Sequence, residues 1–142
     1  MKVAVIPARS GSEELAHKNL SVVGGKSLLN RAIDFALEAE VFDKIIVTTD
    51  YCEHLFYREG IEVRNRPEAL ATSHATMVEV LEDVIEIFGL AAEDKVVLLQ
   101  PTSPFRVFED LVKVLELMEE YDSVITVKEV ELNPALFVTP LN

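Results

Sequence analysis

The sequence is short of cysteine, of tryptophan and of positive charge. Its one cysteine, Cys52, excludes an internal disulfide and a cysteine-cluster metal site, and is expected to serve as a small buried hydrophobe. Thirteen Lys and Arg stand against 25 Asp and Glu, a formal net charge of −12. Without a basic surface there is no counterion release to drive general nucleic-acid binding, and no attraction to anionic lipid. Any anion site must be local. No stretch approaches the roughly 18 to 20 consecutive apolar residues of a membrane span, and the N-terminus opens on a strand-like pattern instead of a charged region with an apolar signal core. A cytoplasmic protein is expected. His17, His54 and His74 show no metal-binding spacing. Neither a GxGxxG fingerprint nor a Gly-Lys-Ser/Thr follows the first apolar run, which excludes an ordinary dinucleotide-binding turn and a Walker loop.

What is present reads as one soluble domain over residues 1–142, with 49% hydrophobic and 27% charged residues, enough for a real core. "KVAVIPA" is a continuous apolar run, the signature of a strand buried on both faces, and "KIIVTTD" at 44–50 and "KVVLLQPTSP" at 95–104 match it. Helical spacing lies between them. Leu28, Leu29, Ala32, Ile33, Ala36 and Leu37 form one stripe, with Ser27 as its N-cap. Val78, Leu81, Val84, Ile85 and Phe88 form a second within 74–89, stopped by Gly89, with His74 at its start. A third helix is expected over 107–120, and "DSVITVKEV" as a further strand. Strands alternating with helices imply an α/β sandwich with a mainly parallel central sheet. Ligands of such sheets bind beyond the carboxyl ends of the strands. That selects the loops "PARSGSEELAHKN", "TTDYC" and "QPTSPFR", joined by "RNRPEALATSHAT".

In the first loop Gly11 and Ser12 let backbone amides approach an anion, while Arg9 and Lys18 bring charge that is not lost at neutral pH. The succession "IPAR", a Ser/Gly loop, "KN", "TTD", "RPEALA" and "LLQPTSPFR" resembles the acylneuraminate cytidylyltransferases, which make CMP-sialic and related CMP-nonulosonic acids. The resemblance spans nearly the whole chain and implies a three-layer α/β/α, nucleotide-diphospho-sugar transferase-like (Rossmann-like) fold. It implies that an acidic nine-carbon sugar attacks the α-phosphorus of CTP and that pyrophosphate leaves with Mg²⁺ assistance. Position by position it places Arg9, Ser12, Lys18 and Asn19 at the nucleotide and its phosphates, with Arg9 and Lys18 as the catalytic charges. Arg66 falls near the cytosine, the backbone of Ala75 at the base's amino group, and Gln100 at the acceptor sugar. The residues alone leave alternatives open: a turn cap for Asn19, an ion pair with Glu62 or Glu68 for Arg66, core packing for Gln100, and either a metal ligand or a helix cap for Asp50.

The departures also carry information. Where the family loop usually reads Gly-Ser-Lys-Gly, this chain has "GSEELAHKN", so Glu13 stands in place of a phosphate-facing lysine and Glu14 in place of a glycine. One like-charge contact at about 4 Å costs about 4 kcal/mol at an effective dielectric near 20. "ATSHATM" replaces a more polar run. The chain is expected to be a shortened family member, ending before the segment that pairs subunits and the Asp-x-Asp pair that holds the metal, so the metal ligands are unassigned. A homodimer through apolar residues near 132–141 is compatible with this. The expected partners are CTP and an acidic sugar, with no nucleic acid and no membrane. The other reading is a non-catalytic nucleotide- or partner-binding module of the same fold.

Overall fold

Lys2–Ala8 forms β1, and from Val3 to Ala8 every residue is buried, as an unalternating apolar run requires. The computed structural model describes residues 1–11, 15 and 17–129. β1 pairs in parallel with β4 (Lys44–Thr49) on one side and β6 (Lys95–Leu98) on the other. β5 (Glu62–Asn65) adds in parallel outside β4, so the sheet order is β5-β4-β1-β6. A separate two-residue antiparallel ladder, β2 (Val22–Val23) with β3 (Lys26–Ser27), turns through Gly24 and Gly25, both at positive φ.

Parallel strands need crossovers. α1 (Leu28–Ala39) supplies the one from β1 to β4 and α2 (Met77–Phe88) the one from β5 to β6, while β4 reaches β5 through residues 50–61 with only a short 3-10 turn. The first turn of α1 is closed by Ser27, whose Oγ accepts the Asn30 N–H at 3.1 Å. Leu29, Ala32, Ile33 and Ala36 are its buried positions. α2 begins with a capping box in which Thr76 and Glu79 satisfy each other's backbone N–H. Gly89, at φ 61, ends it in the left-handed conformation. Val84 of α2 packs with Val3, Val5 and Ile46, and Leu81, Phe88, Leu90 and Val96 close around that cluster. Strand alternation leaves Ala4, Ile6, Ile45 and Val47 for the opposite sheet face, and α1 contacts both β1 and β4. The three-layer sandwich with a mainly parallel sheet is therefore observed.

Three expectations need correction. The buried side of α2 is Val80 and Val84, whereas Val78 is 63% exposed and Ile85 40%. The apolar stripe is wide enough that the sheet selects a strip rotated by about one residue from the one the spacing suggested. β6 stops at Leu98, one residue short of the strand expected before the loop "QPTSPFR", and the chain then turns at Gln100, whose carbonyl accepts the Ser103 N–H, while Pro101 has no N–H for a ladder. The third correction lies in the second of two compact units, Met1–Val107 and Phe108–Asn142. There α3 (Phe108–Leu117) buries Leu111 and Leu115. Residues 122–129, expected as a strand, join no ladder among the described residues, and Ile125 and Val127 are 79% and 85% exposed. β-branched residues favour extended chain, but a strand also needs a partner for its N–H groups. Residues 130–142, including the apolar stretch considered for dimerisation, lie outside the described residues. No described helix is long and apolar enough to cross a membrane.

Candidate functional site

β1, β4 and β6 run in the same direction, so their carboxyl ends open on one edge of the sheet. The loops that follow β1 and β6, with the residues between β5 and α2 and the start of that helix, enclose an open hollow of about 290 Å³. That is near the low end of the roughly 300–1,000 Å³ common for small-ligand sites. Arg9, Lys18, Asn19, Arg66, Ala75 and Gln100 all line it, although they come from four separated stretches of sequence. Met77 and Val80 give it an apolar wall at the start of α2, and Thr72 and Thr76 stand beside them. Ser12, with Glu13 and Glu14, lies outside the described residues.

The ends of β1 and β4 are tied together by Thr49, which is fully buried. Its hydroxyl donates to the Ala8 carbonyl at 2.5 Å and accepts the Tyr51 N–H at 2.9 Å. Among the described residues Asp50 caps no helix and belongs to no metal cluster. Its two oxygens accept the Ser10 N–H at 2.7 Å and the Ser10 hydroxyl at 2.5 Å, and the short turn that follows begins at Cys52. Asn19 is buried and donates to the Arg9 carbonyl at 3.0 Å, closing the loop across its base.

Arg66 is 9% exposed. The ion pair considered for it does not form. Glu62 belongs to Lys44 at 2.9 Å, and the Arg66 guanidinium donates instead to the carbonyls of Thr48 at 3.0 Å and Leu70 at 3.4 Å. Its Nε has no partner among the described residues. Burial pushes its pKa down, Asp50 pushes it up, and the neighbouring Arg9 pushes it down again. An arginine stays charged in spite of such shifts. Two like charges therefore face a common space, an arrangement that an anion relieves.

Gln100 is exposed rather than packed in the core. Its backbone carbonyl accepts from Arg106, whose guanidinium lies 6.0 Å from the centre of the Phe35 ring on α1. Burial lowers the Arg106 pKa. Cys52, expected to be buried, is exposed, with Sγ 2.9 Å from His54 Nδ1. It falls in a polar turn beyond the strand, where no apolar face is available to cover it. His74 is exposed in the turn before Thr76 and does not start the helix.

Among the described residues no three His, Cys, Asp or Glu side chains converge as a metal cage. Asp50 has both oxygens engaged by Ser10. Mg²⁺ bound beside a triphosphate takes one or two carboxylates and completes its shell with phosphate oxygens and water. Sequence reasoning missed the Asp50–Ser10 contact, the Tyr51 ring 5.9 Å from that of His17, and the Arg106 brace. The runs "TTDY" and "SPFR" flagged the right places, but nothing in them revealed the partners.

A parallel sheet whose carboxyl-end loops gather guanidinium, ammonium and side-chain amide groups around one hollow has its polar groups where open α/β folds place their ligands. The chain belongs to the cytidylyltransferase family, whose model matches residues 3–140. It is 37% identical over 145 residues to the N-acylneuraminate cytidylyltransferase of Escherichia coli O18:K1:H7 (strain RS218 / NMEC), an alignment covering 99% of this chain and 34% of the relative. It is 34% identical over 139 residues to the CMP-N,N'-diacetyllegionaminic acid synthase of Legionella pneumophila (strain Philadelphia 1), covering 94% and 60%. The chain thus spans about a third of the first relative and under two thirds of the second. Among solved structures it matches CMP:2-keto-3-deoxy-manno-octonic acid synthetase complexed with CTP, with a TM-score of 0.66 and 25% identity, over 84% of this chain and 47% of that one. The 2-C-methyl-D-erythritol 4-phosphate cytidylyltransferase of Francisella tularensis shares the fold, with a TM-score of 0.66 at 20% identity over 91% and 61%. The likeness to acylneuraminate cytidylyltransferases drawn from the motifs is borne out.

Proposed function

We propose that residues 1–142 handle the nucleotide in activating an acidic nine-carbon sugar. CTP and the sugar acid give the CMP-sugar and pyrophosphate. The anomeric hydroxyl attacks the α-phosphorus, its proton passing to solvent, as the bond to the pyrophosphate oxygen breaks and pyrophosphate leaves. The observation that carries this reading is that Arg9, Lys18, Asn19, Arg66, Ala75 and Gln100, assigned position by position from the family resemblance, line one hollow.

In this reading Arg9 and Lys18 face the phosphates and supply fixed positive charge where negative charge develops on the leaving group. Ser12 joins them from the same loop. Arg66 sits at the cytosine side of the hollow and supplies fixed positive charge there. The backbone of Ala75 reads the exocyclic amine, and Gln100, exposed at the rim, faces the sugar acid. Mg²⁺ enters only as a companion of the triphosphate, and no step here is routed through it. The partners are CTP and the sugar acid. A net charge of −12 is unsuited to nucleic acid or anionic membrane. A cytoplasmic homodimer belongs to the same reading.

Glu13 and Glu14 favour a second reading, a weak-binding module without turnover. Phosphorus NMR of CTP incubated with Mg²⁺, the chain and a panel of nonulosonic acids separates the two. The first reading predicts pyrophosphate and a CMP-ester that appear only with the accepted acid. CTP binding with no pyrophosphate from any acid would establish the second.

A further inference from the structure

We propose that Asp50 and Tyr51 are positioning residues for the anion-binding loop, fastening both of its ends to the carboxyl end of β4. The identity of the ligand rests on the function proposed above, but the fastening does not.

Asp50 is a puzzle if the site is judged by charge alone. A carboxylate close enough to influence Arg66 weakens the attraction of the hollow for a polyanion. What it provides instead is geometry. One oxygen accepts the Ser10 N–H at 2.7 Å and the other accepts the Ser10 hydroxyl at 2.5 Å. A two-point, charge-assisted contact fixes direction as well as distance. It therefore fixes how the chain leaves β1, with Arg9 just before the contact and Gly11 just after, both lining the hollow.

Tyr51 acts at the other end of the same loop. It is 6% exposed, its ring centroid lies 5.9 Å from that of His17 at an interplanar angle of 41°, and its hydroxyl has no partner among the described residues. The ring, not the hydroxyl, makes the contact. His17 has φ 52, the left-handed region, which is unfavourable for a residue with a Cβ and persists only where its surroundings hold it. It immediately precedes Lys18, so a slip at His17 would misdirect the ammonium group. Tyr51 is itself held, since its N–H donates to Thr49 Oγ1 while that hydroxyl donates to the Ala8 carbonyl. β1, β4 and both ends of the loop thus form one connected unit.

The test is hydrogen exchange over residues 9–19 of the ligand-free chain, beside calorimetric CTP affinity measured in EDTA. Asp50→Ala and Tyr51→Leu should each speed loop exchange and weaken CTP about tenfold, with exchange in the interiors of β1 and β4 unchanged. Tyr51→Phe, which keeps the ring, should restore wild-type exchange. Ser10→Ala should reproduce part of the Asp50→Ala effect and add nothing to it in the double variant, and it decides the matter if Asp50→Ala does not fold. Unchanged loop exchange in Asp50→Ala and Tyr51→Leu would overturn the proposal, as would exchange rising equally throughout the sheet. Asp50→Ala losing CTP affinity only when Mg²⁺ is present would overturn it in favour of a metal ligand. If the wild-type chain binds no CTP, the ligand assignment fails while the exchange measurement still decides the fastening.

Discussion

Replacing Arg66 with Met should separate stability from binding. The guanidinium is 9% exposed and its hydrogen bonds go to two backbone carbonyls, at 3.0 and 3.4 Å. Losing bonds from a charged donor costs about 1.5–3 kcal/mol each, less for the longer one. Against this, the variant no longer desolvates a cation that lacks a carboxylate pair, a penalty of several kcal/mol, and no longer repels Arg9. Met also fills much of the same space with flexible apolar atoms. The two sides nearly cancel, leaving a net loss of about 1–2 kcal/mol and a fall in Tm of about 3–7 °C. CTP affinity should fall about 100-fold, because a desolvated charged donor at the ligand is lost without replacement. Differential scanning fluorimetry gives the first quantity and titration calorimetry the second. A Tm loss of about 15 °C with CTP affinity intact would show that Arg66 is a structural strut, and the reasoning would fail.

Other consequences can be checked separately. Lys18→Met should weaken CTP and flatten the salt dependence of its binding, since one cation meeting phosphate is removed; an unchanged salt slope would place Lys18 away from the phosphates. Thr76→Val breaks the capping box and should destabilise the fold by about 1 kcal/mol, read from denaturant midpoints. Gly24→Ala should cost about 1–2 kcal/mol, because the residue sits at φ +58 and the new Cβ would lie 2.4 Å from Arg31 Nη2, whose guanidinium holds the hairpin carbonyls of Val23 and Gly24. The Asp83 carboxyl is held below its ordinary pKa, first by its hydrogen bond from Arg64. Its stabilising contribution is therefore present above the unfolded value near 4 and disappears as pH falls through the lower folded value. Asp83→Asn should reduce the loss of stability below about pH 4, measured by Tm against pH.

The central strands were legible because a strand buried on both faces leaves a run such as "KVAVIPA", which little else produces. Ser27 and Gly89 marked helix ends because capping is local chemistry. β5 was not legible. Its four residues, Glu62 to Asn65, include two charged ones at the sheet edge and lack the apolar run that identified its neighbours. The rotation of the α2 stripe was equally hidden, since Val78 and Val80 are alike in sequence and only the sheet distinguishes them. The site divides in the same way. The family resemblance brought out the hollow's lining residues, but the pairing of Asp50 with Ser10 spans 40 positions and depends on β1 and β4 being neighbours. The burial of Arg66 against Thr48 and Leu70 likewise follows from the packed fold rather than from local pattern.

The most direct test of the central claim is calorimetric titration of the chain with CTP at low ionic strength, repeated with Arg9→Ala and Lys18→Ala. The account predicts saturable one-to-one binding that weakens strongly in both variants and that UTP and ATP match poorly. No heat with CTP, or affinity that ignores both substitutions, would contradict it.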